Sequence, residues 1–158
     1  MGMNVRQDSF EGLLAGLASV KEEISNAIVG VFASIGDYVI KGIRNGELSN
    51  WNNQTGSLRS SVGFAVCRNG GIVRMSGFET ILDGSEGSAK GRALCERLAS
   101  EYAKYPYALF VVAGEDYAAY VEAVESKVVL AGGQLYIEGN IAGMLRDAIK
   151  DVLSRYEK

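Results

Sequence analysis

Few residues in this chain are equipped for chemistry, and histidine is absent altogether. A Ser-His or Cys-His nucleophile pair and a His-ligated metal site therefore each lack a required member. The thiols are Cys67 and Cys95, and two thiolates alone do not close a tetrahedral zinc site. Cys67 ends a β-prone run and Cys95 lies near the apolar face of a helical one. No neighbour in sequence would hold either as a thiolate, so both are expected to be buried structural cysteines. The stretch Gly84-Ser85-Glu86-Gly87-Ser88-Ala89-Lys90-Gly91 opens a helix and superficially resembles a phosphate cradle. It fails the P-loop pattern: Lys90 precedes a glycine, no Ser or Thr follows it to hold magnesium, and Glu86 puts negative charge where phosphate would sit.

Acidic pairs occur at Glu22-Glu23, Glu115-Asp116 and Glu122 with Glu125. A glycosidase needs two carboxylates converging across a cleft, whereas adjacent acids on a helix are ordinarily a solvated face. Glu122, beside Tyr120 and Val121, differs in kind: if partly buried it needs a basic partner, and Arg59 is the expected one, in a structural ion pair. No catalytic residue, metal site or cofactor is expected.

These residues must be positioned by a single domain spanning 1–158, with 1–7 as a flexible N-terminal segment. Apolar residues recur in steps of three and four from Phe10 through Leu13, Leu14, Leu17, Val20, Ile24 and Ile28 to Ile35 and Val39, the period of one helix face. The pattern predicts a helix over about 8–44, with a break near Gly30 or Gly36 allowed for. A helix of this length either bends around the core or spends part of its apolar face on a partner. The run 45–57 reads as a polar loop. Residues 61–78 read as a hairpin turning at Asn69-Gly70. A helix over about 88–104 ends before Pro106. Tyr107–Ala113, nearly all apolar, reads as a central strand with both faces covered. A helix from Tyr117, a short strand at 128–130, an ambiguous stretch 131–138 and a last helix over about 139–157 complete the chain. The class is α+β: a small, mostly antiparallel sheet of three or four strands packed with a long N-terminal and a C-terminal helix.

Sixteen basic residues stand against 19 acidic, a net charge of −3. That balance argues against a sequence-specific nucleic-acid binder and against a polybasic membrane anchor. No uninterrupted apolar run reaches the ~20 residues of a bilayer span, and Met1–Glu11 lacks the apolar core of a signal peptide. A cytosol with reduced thiols is the expected compartment.

Two segments resemble a known family. Thr55-Gly56-Ser57-Leu58-Arg59-Ser60-Ser61-Val62 is similar to the TG-x-LR-x-S-I signature of the tail-completion, or head–tail joining, proteins of long-tailed bacteriophages and prophages. Val111-Val112-Ala113-Gly114, followed by Tyr117-Ala118-Ala119-Tyr120-Val121-Glu122-Ala123, resembles that family's V-G … YA-x-YVE-x-G segment. The insertion carrying Gly77-Phe78-Glu79 and Gly84–Lys90 is similar to a Bacteroides-type variant. Ala123 stands where the common form has glycine, and no proline follows Pro106.

The resemblance implies a virion structural protein of the neck, assembled in the bacterial host cytoplasm. It would form a homo-oligomeric ring and dock on connector and tail proteins, with no membrane partner. It assigns Thr55, Gly56, Leu58, Arg59, Tyr117, Tyr120 and Glu122 to structure and interaction. Two other readings differ in what they require: another phage assembly or prophage-derived interaction protein, absent from mature particles, or a small-molecule binder or enzyme, which needs a deep pocket with converging polar groups.

Overall fold

A computed structural model describes residues 7–50, 56–115 and 130–157. The chain is α+β. Helix α1 spans Gln7–Asn45, followed by the single turn α2, Ser57–Ser60. Strands β1 (Val62–Arg68) and β2 (Gly71–Gly77) form the hairpin, α3 covers Ser85–Glu101, β3 covers Tyr107–Ala113 and α4 covers Ala131–Ser154. The expected helix from Tyr117 and strand at 128–130 lie outside the described residues.

The three strands are antiparallel, in the order β2-β1-β3. Asn69 (φ 51°) and Gly70 (φ 79°) both take left-handed backbone, as a two-residue hairpin turn requires. The central strand is β1. Among the described residues the apolar run Tyr107–Ala113 is instead an edge strand, correcting the central placement. Helices cover both faces of this sheet, so even an edge strand is apolar on both sides, and an apolar run reports covered faces alone.

Alternation along β1 builds two cores. Val62, Phe64 and Val66 pack with Phe32, Ile35, Val39 and Ile43 of α1, and α4 adds Tyr136, Ile141 and Leu145. Ala65, on the opposite face, joins Phe78, Cys95 and Val112, with Leu94 and Leu98 of α3 at the margin. The layers are thus α1 and α4, sheet, then α3. Tyr107 Oη donates to Ser25 Oγ at 2.8 Å, fixing the start of β3 to α1.

Helix α1 is unbroken at Gly30 and Gly36. A Cβ on Gly36 would lie 2.5 Å from the Phe64 ring, so the missing side chain lets β1 approach. By length and composition a stretch within Phe10–Asn45 is apolar enough to cross a membrane, although no uninterrupted apolar run is. Within Phe10–Asn45, the residues Phe32, Ile35, Val39, Ile40 and Ile43 are buried in the core, and 33% of the qualifying stretch is buried.

Two boundaries move. Helix α3 begins at Ser85, not near 88, because the small residues Gly87 and Ser88 are buried against the preceding elements. Helix α4 begins at Ala131, where Gly132-Gly133 had argued against a helix. Glycine costs a helix about 1 kcal/mol against alanine. Here a Cβ on Gly133 would lie 2.6 Å from Val39 Cγ1, so tertiary contact with α1 overrides the propensity.

Cys67 and Cys95 are both buried and free. Burial raises both thiol pKa values, that of Cys95 to about 12. In the unfolded chain the thiols ionise near their ordinary value, while the folded chain keeps them protonated. Stability from this source is therefore whole below about pH 8.5 and falls as pH rises toward 12. Native protein at pH 8 should react negligibly with a thiol reagent, and denatured protein should yield two equivalents. The alkaline fall in stability should be shallower in Cys95→Ala, measured by urea melts between pH 8 and 10.5.

Candidate functional site

The first motif forms a tight corner between α1 and β1. Gly56 has φ 81°, and a Cβ there would lie 1.9 Å from the Ile81 carbonyl oxygen. Leu58 is buried and anchors the turn. Ser60 and Ser61 are fully buried, and both hydroxyls are used. Ser60 Oγ accepts from the Ile81 amide at 2.8 Å. Ser61 Oγ donates to the Leu58 carbonyl at 2.8 Å and accepts from the Glu115 amide at 3.3 Å.

The end of β3 closes on this corner. The Gly114 amide donates to the Ser61 carbonyl at 3.2 Å. A Cβ on Gly114 would lie 2.4 Å from Gly91 Cα, so β3 and α3 meet backbone to backbone. Glu115 is buried. Its Oε1 accepts from Ser57 Oγ, and its Oε2 pairs with Lys90 at 3.1 Å. Lys90 also reaches Glu86 at 3.1 Å. The two sequence motifs therefore meet, through Ser57, Ser61, Gly114 and Glu115. The expected Arg59–Glu122 pair, and Thr55, Tyr117 and Tyr120, lie outside the described residues on one or both sides.

This geometry explains the glycine-rich stretch. Lys90 is engaged by two carboxylates, so it is not available to a phosphate. Ser88 Oγ donates to the Phe78 carbonyl, and Gly84 and Gly87 allow α3 to sit against α2. Ser57, Glu115 and Lys90 form a hydrogen-bonded trio around a residue that is only 6% exposed, with both carboxylate oxygens of Glu115 engaged.

Among the described residues, the Glu22-Glu23 pair is turned to separate cations. Glu22 accepts both arms of the Arg68 fork, at 3.0 and 2.8 Å, which lowers its pKa. Glu23 accepts from Tyr156 Oη at 2.5 Å and faces Arg155 at 3.6 Å.

Beside the corner lies an open cleft of about 260 Å³ between α1, α2 and the end of β2. Asp37, Lys41, Arg44, Arg59 and Glu79 line it. Arg44, mostly buried, donates to Glu79 Oε2 at 2.9 Å and to the Glu79 carbonyl at 3.0 Å. Asp37 faces Arg74 at 3.6 Å. Arg59 Nε is buried without a hydrogen-bond partner among the described residues. Lys41 and Glu79 carried no signal in the sequence, because their approach to Arg59 depends on how α1 crosses the sheet. Among the described residues, no group of three or more Cys, Asp and Glu side chains is placed to hold a metal ion.

Comparison with known proteins gives no matching family model, no matching curated protein and no matching solved structure.

Proposed function

We propose that this chain is a ring-forming structural component of the head–tail junction of a long-tailed phage or prophage, without enzymatic activity. The carrying observation is an uncovered apolar stripe. Phe10, Leu13, Leu14 and Leu17 are 50–59% exposed, and residues 10–19 of α1 are exposed throughout. Large apolar side chains at helical spacing that no described element covers are the mark of an interface. The occupant in this reading is a neighbouring copy. A heterologous ring uses two different patches per subunit, and the stripe supplies one of them.

The meeting of the two motif segments adds support, because Ser61 and Gly114, which carry the resemblance, bond to each other in one structural corner. Connector and tail proteins as partners, and a place in the virion, belong to the same proposal.

The test is solution mass by light scattering after size exclusion, over a concentration series, alone and with connector and tail proteins. A closed species of six or more chains supports the reading. A strict monomer under all of these conditions overturns it. The double variant Leu13→Glu/Leu17→Glu should reduce the assembled species to monomer. Its melting point should stay close to that of the parent, since substitutions at exposed sites shift stability by only about 0.5 kcal/mol.

A further inference from the structure

Three surface features lie beyond the buried contacts of the motif corner. The apolar stripe on α1 is already spent on the proposed ring. A cleft of about 300 Å³ between α1 and α4 holds Glu23, Asp151 and Arg155, and these pair with one another across it. The cleft at Arg59 differs, because it holds cations that no described carboxylate engages.

Three cations and two carboxylates line the Arg59 cleft. Both carboxylates are engaged: Glu79 by Arg44 at 2.9 Å and Asp37 by Arg74 at 3.6 Å. Neither Arg59 nor Lys41 has an ion pair or side-chain hydrogen bond among the described residues. A buried guanidinium nitrogen without an acceptor is costly, and the Arg44 cation lining the same cleft adds like-charge repulsion. An incoming anion removes both costs. The guanidinium fork matches the two oxygens of a carboxylate or phosphate, and an ammonium adds a point charge without fixed geometry. Lys41 is exposed, so the cleft opens to solvent beside it, and its volume admits a group of several heavy atoms.

We propose that this cleft binds an oxyanion, with the Arg59 guanidinium and the Lys41 ammonium as its two recognition groups. The oxyanion has two sources. One is a free polycarboxylate or phosphate. The other is a carboxylate side chain of a neighbouring copy, which a chain with 19 acidic against 16 basic residues has in surplus. The second source rests on the ring proposed above, and the first does not.

The experiment titrates sodium citrate, and separately inorganic phosphate, into the full chain by calorimetry, with sodium chloride at matched ionic strength as control. Wild type, Lys41→Met and Arg59→Met are compared. Light scattering of the same three proteins is the second readout. Lys41 is exposed, so its variant keeps the test open should Arg59→Met fail to fold.

Saturable binding of citrate or phosphate, weakened roughly tenfold or more in Lys41→Met, supports a free anion. No free-anion binding, but an assembled mass lost in the cleft variants, supports a neighbour's carboxylate. No saturable binding together with a solution mass unchanged by the substitutions overturns the proposal. The two readings fail separately. A ring unaffected by the cleft variants keeps the ring and removes the cleft when no anion binds. Anion binding by a strict monomer keeps the cleft and removes the ring.

Discussion

Phe78→Ala should lower the unfolding free energy by about 4 kcal/mol, the middle of the range for removing a buried phenylalanine. The ring is 1% exposed and sits where the sheet meets α3. Glycines on both sides exist to admit it. A Cβ on Gly63 would lie 2.4 Å from the ring and one on Gly91 2.5 Å away. Those backbones cannot collapse far toward an alanine, so a cavity remains, and Arg92 loses the aromatic face 5.5 Å from its guanidinium. Phe78 also holds a left-handed backbone, φ 58°, which alanine disfavours equally, so the substitution relieves no strain. The Phe78 amide donates a hydrogen bond to the Val62 carbonyl at 3.1 Å, which keeps that conformation in place. Urea denaturation measures the loss, and Phe78→Leu should fall between parent and alanine. A loss under 1 kcal/mol for Phe78→Ala would show that the ring is not the keystone of this core.

Gly56→Ala should destabilise by about 3 kcal/mol or more, combining a left-handed alanine with a steric clash. Glycine-to-alanine changes at compatible sites stabilise by about 0.4–1 kcal/mol through the unfolded chain. Here φ is 81° and the new methyl would lie 1.9 Å from the Ile81 carbonyl oxygen, so the sign reverses. Either the α2 turn shifts, or the segment bearing Ile81 moves and breaks the 2.8 Å bond from the Ile81 amide to Ser60. A melting point within a degree of the parent would show the corner to be soft. The result also bears on the motif itself. A large loss means that Thr55-Gly56-Ser57-Leu58-Arg59 specifies a structural corner first, and that any role in assembly acts through it.

Local patterns were legible because their causes are local. Phe10–Val39 repeats in steps of three and four, and the helix follows. Asn69-Gly70 turns because both residues tolerate positive φ. Cys67 ends an apolar strand and Cys95 lies near the apolar face of a helix, and both are buried as expected. The expected link between the motif segments, Arg59 with Glu122, lies outside the described residues; within them Glu115, one of an apparently solvated acidic pair, reaches Ser57 and Lys90. Nothing local marks an acid for burial when its cation lies 25 residues away in sequence. Gly132-Gly133 misled for the same reason, since the value of a missing Cβ depends on Val39 across the interface.

By itself the sequence determined the α+β class, the long N-terminal helix, the hairpin turn at Asn69-Gly70 and the lack of any histidine. These rest on periodicity, turn stereochemistry and composition, which need no neighbour. Tertiary structure alone decided that Tyr107–Ala113 lies at an edge, that Lys90 is bound up with Glu86 and Glu115, that Phe10–Leu17 is uncovered, and that Arg59 and Lys41 share a cleft. Each depends on which surfaces meet once the helices pack on the sheet, and burial and charge pairing are properties of that meeting.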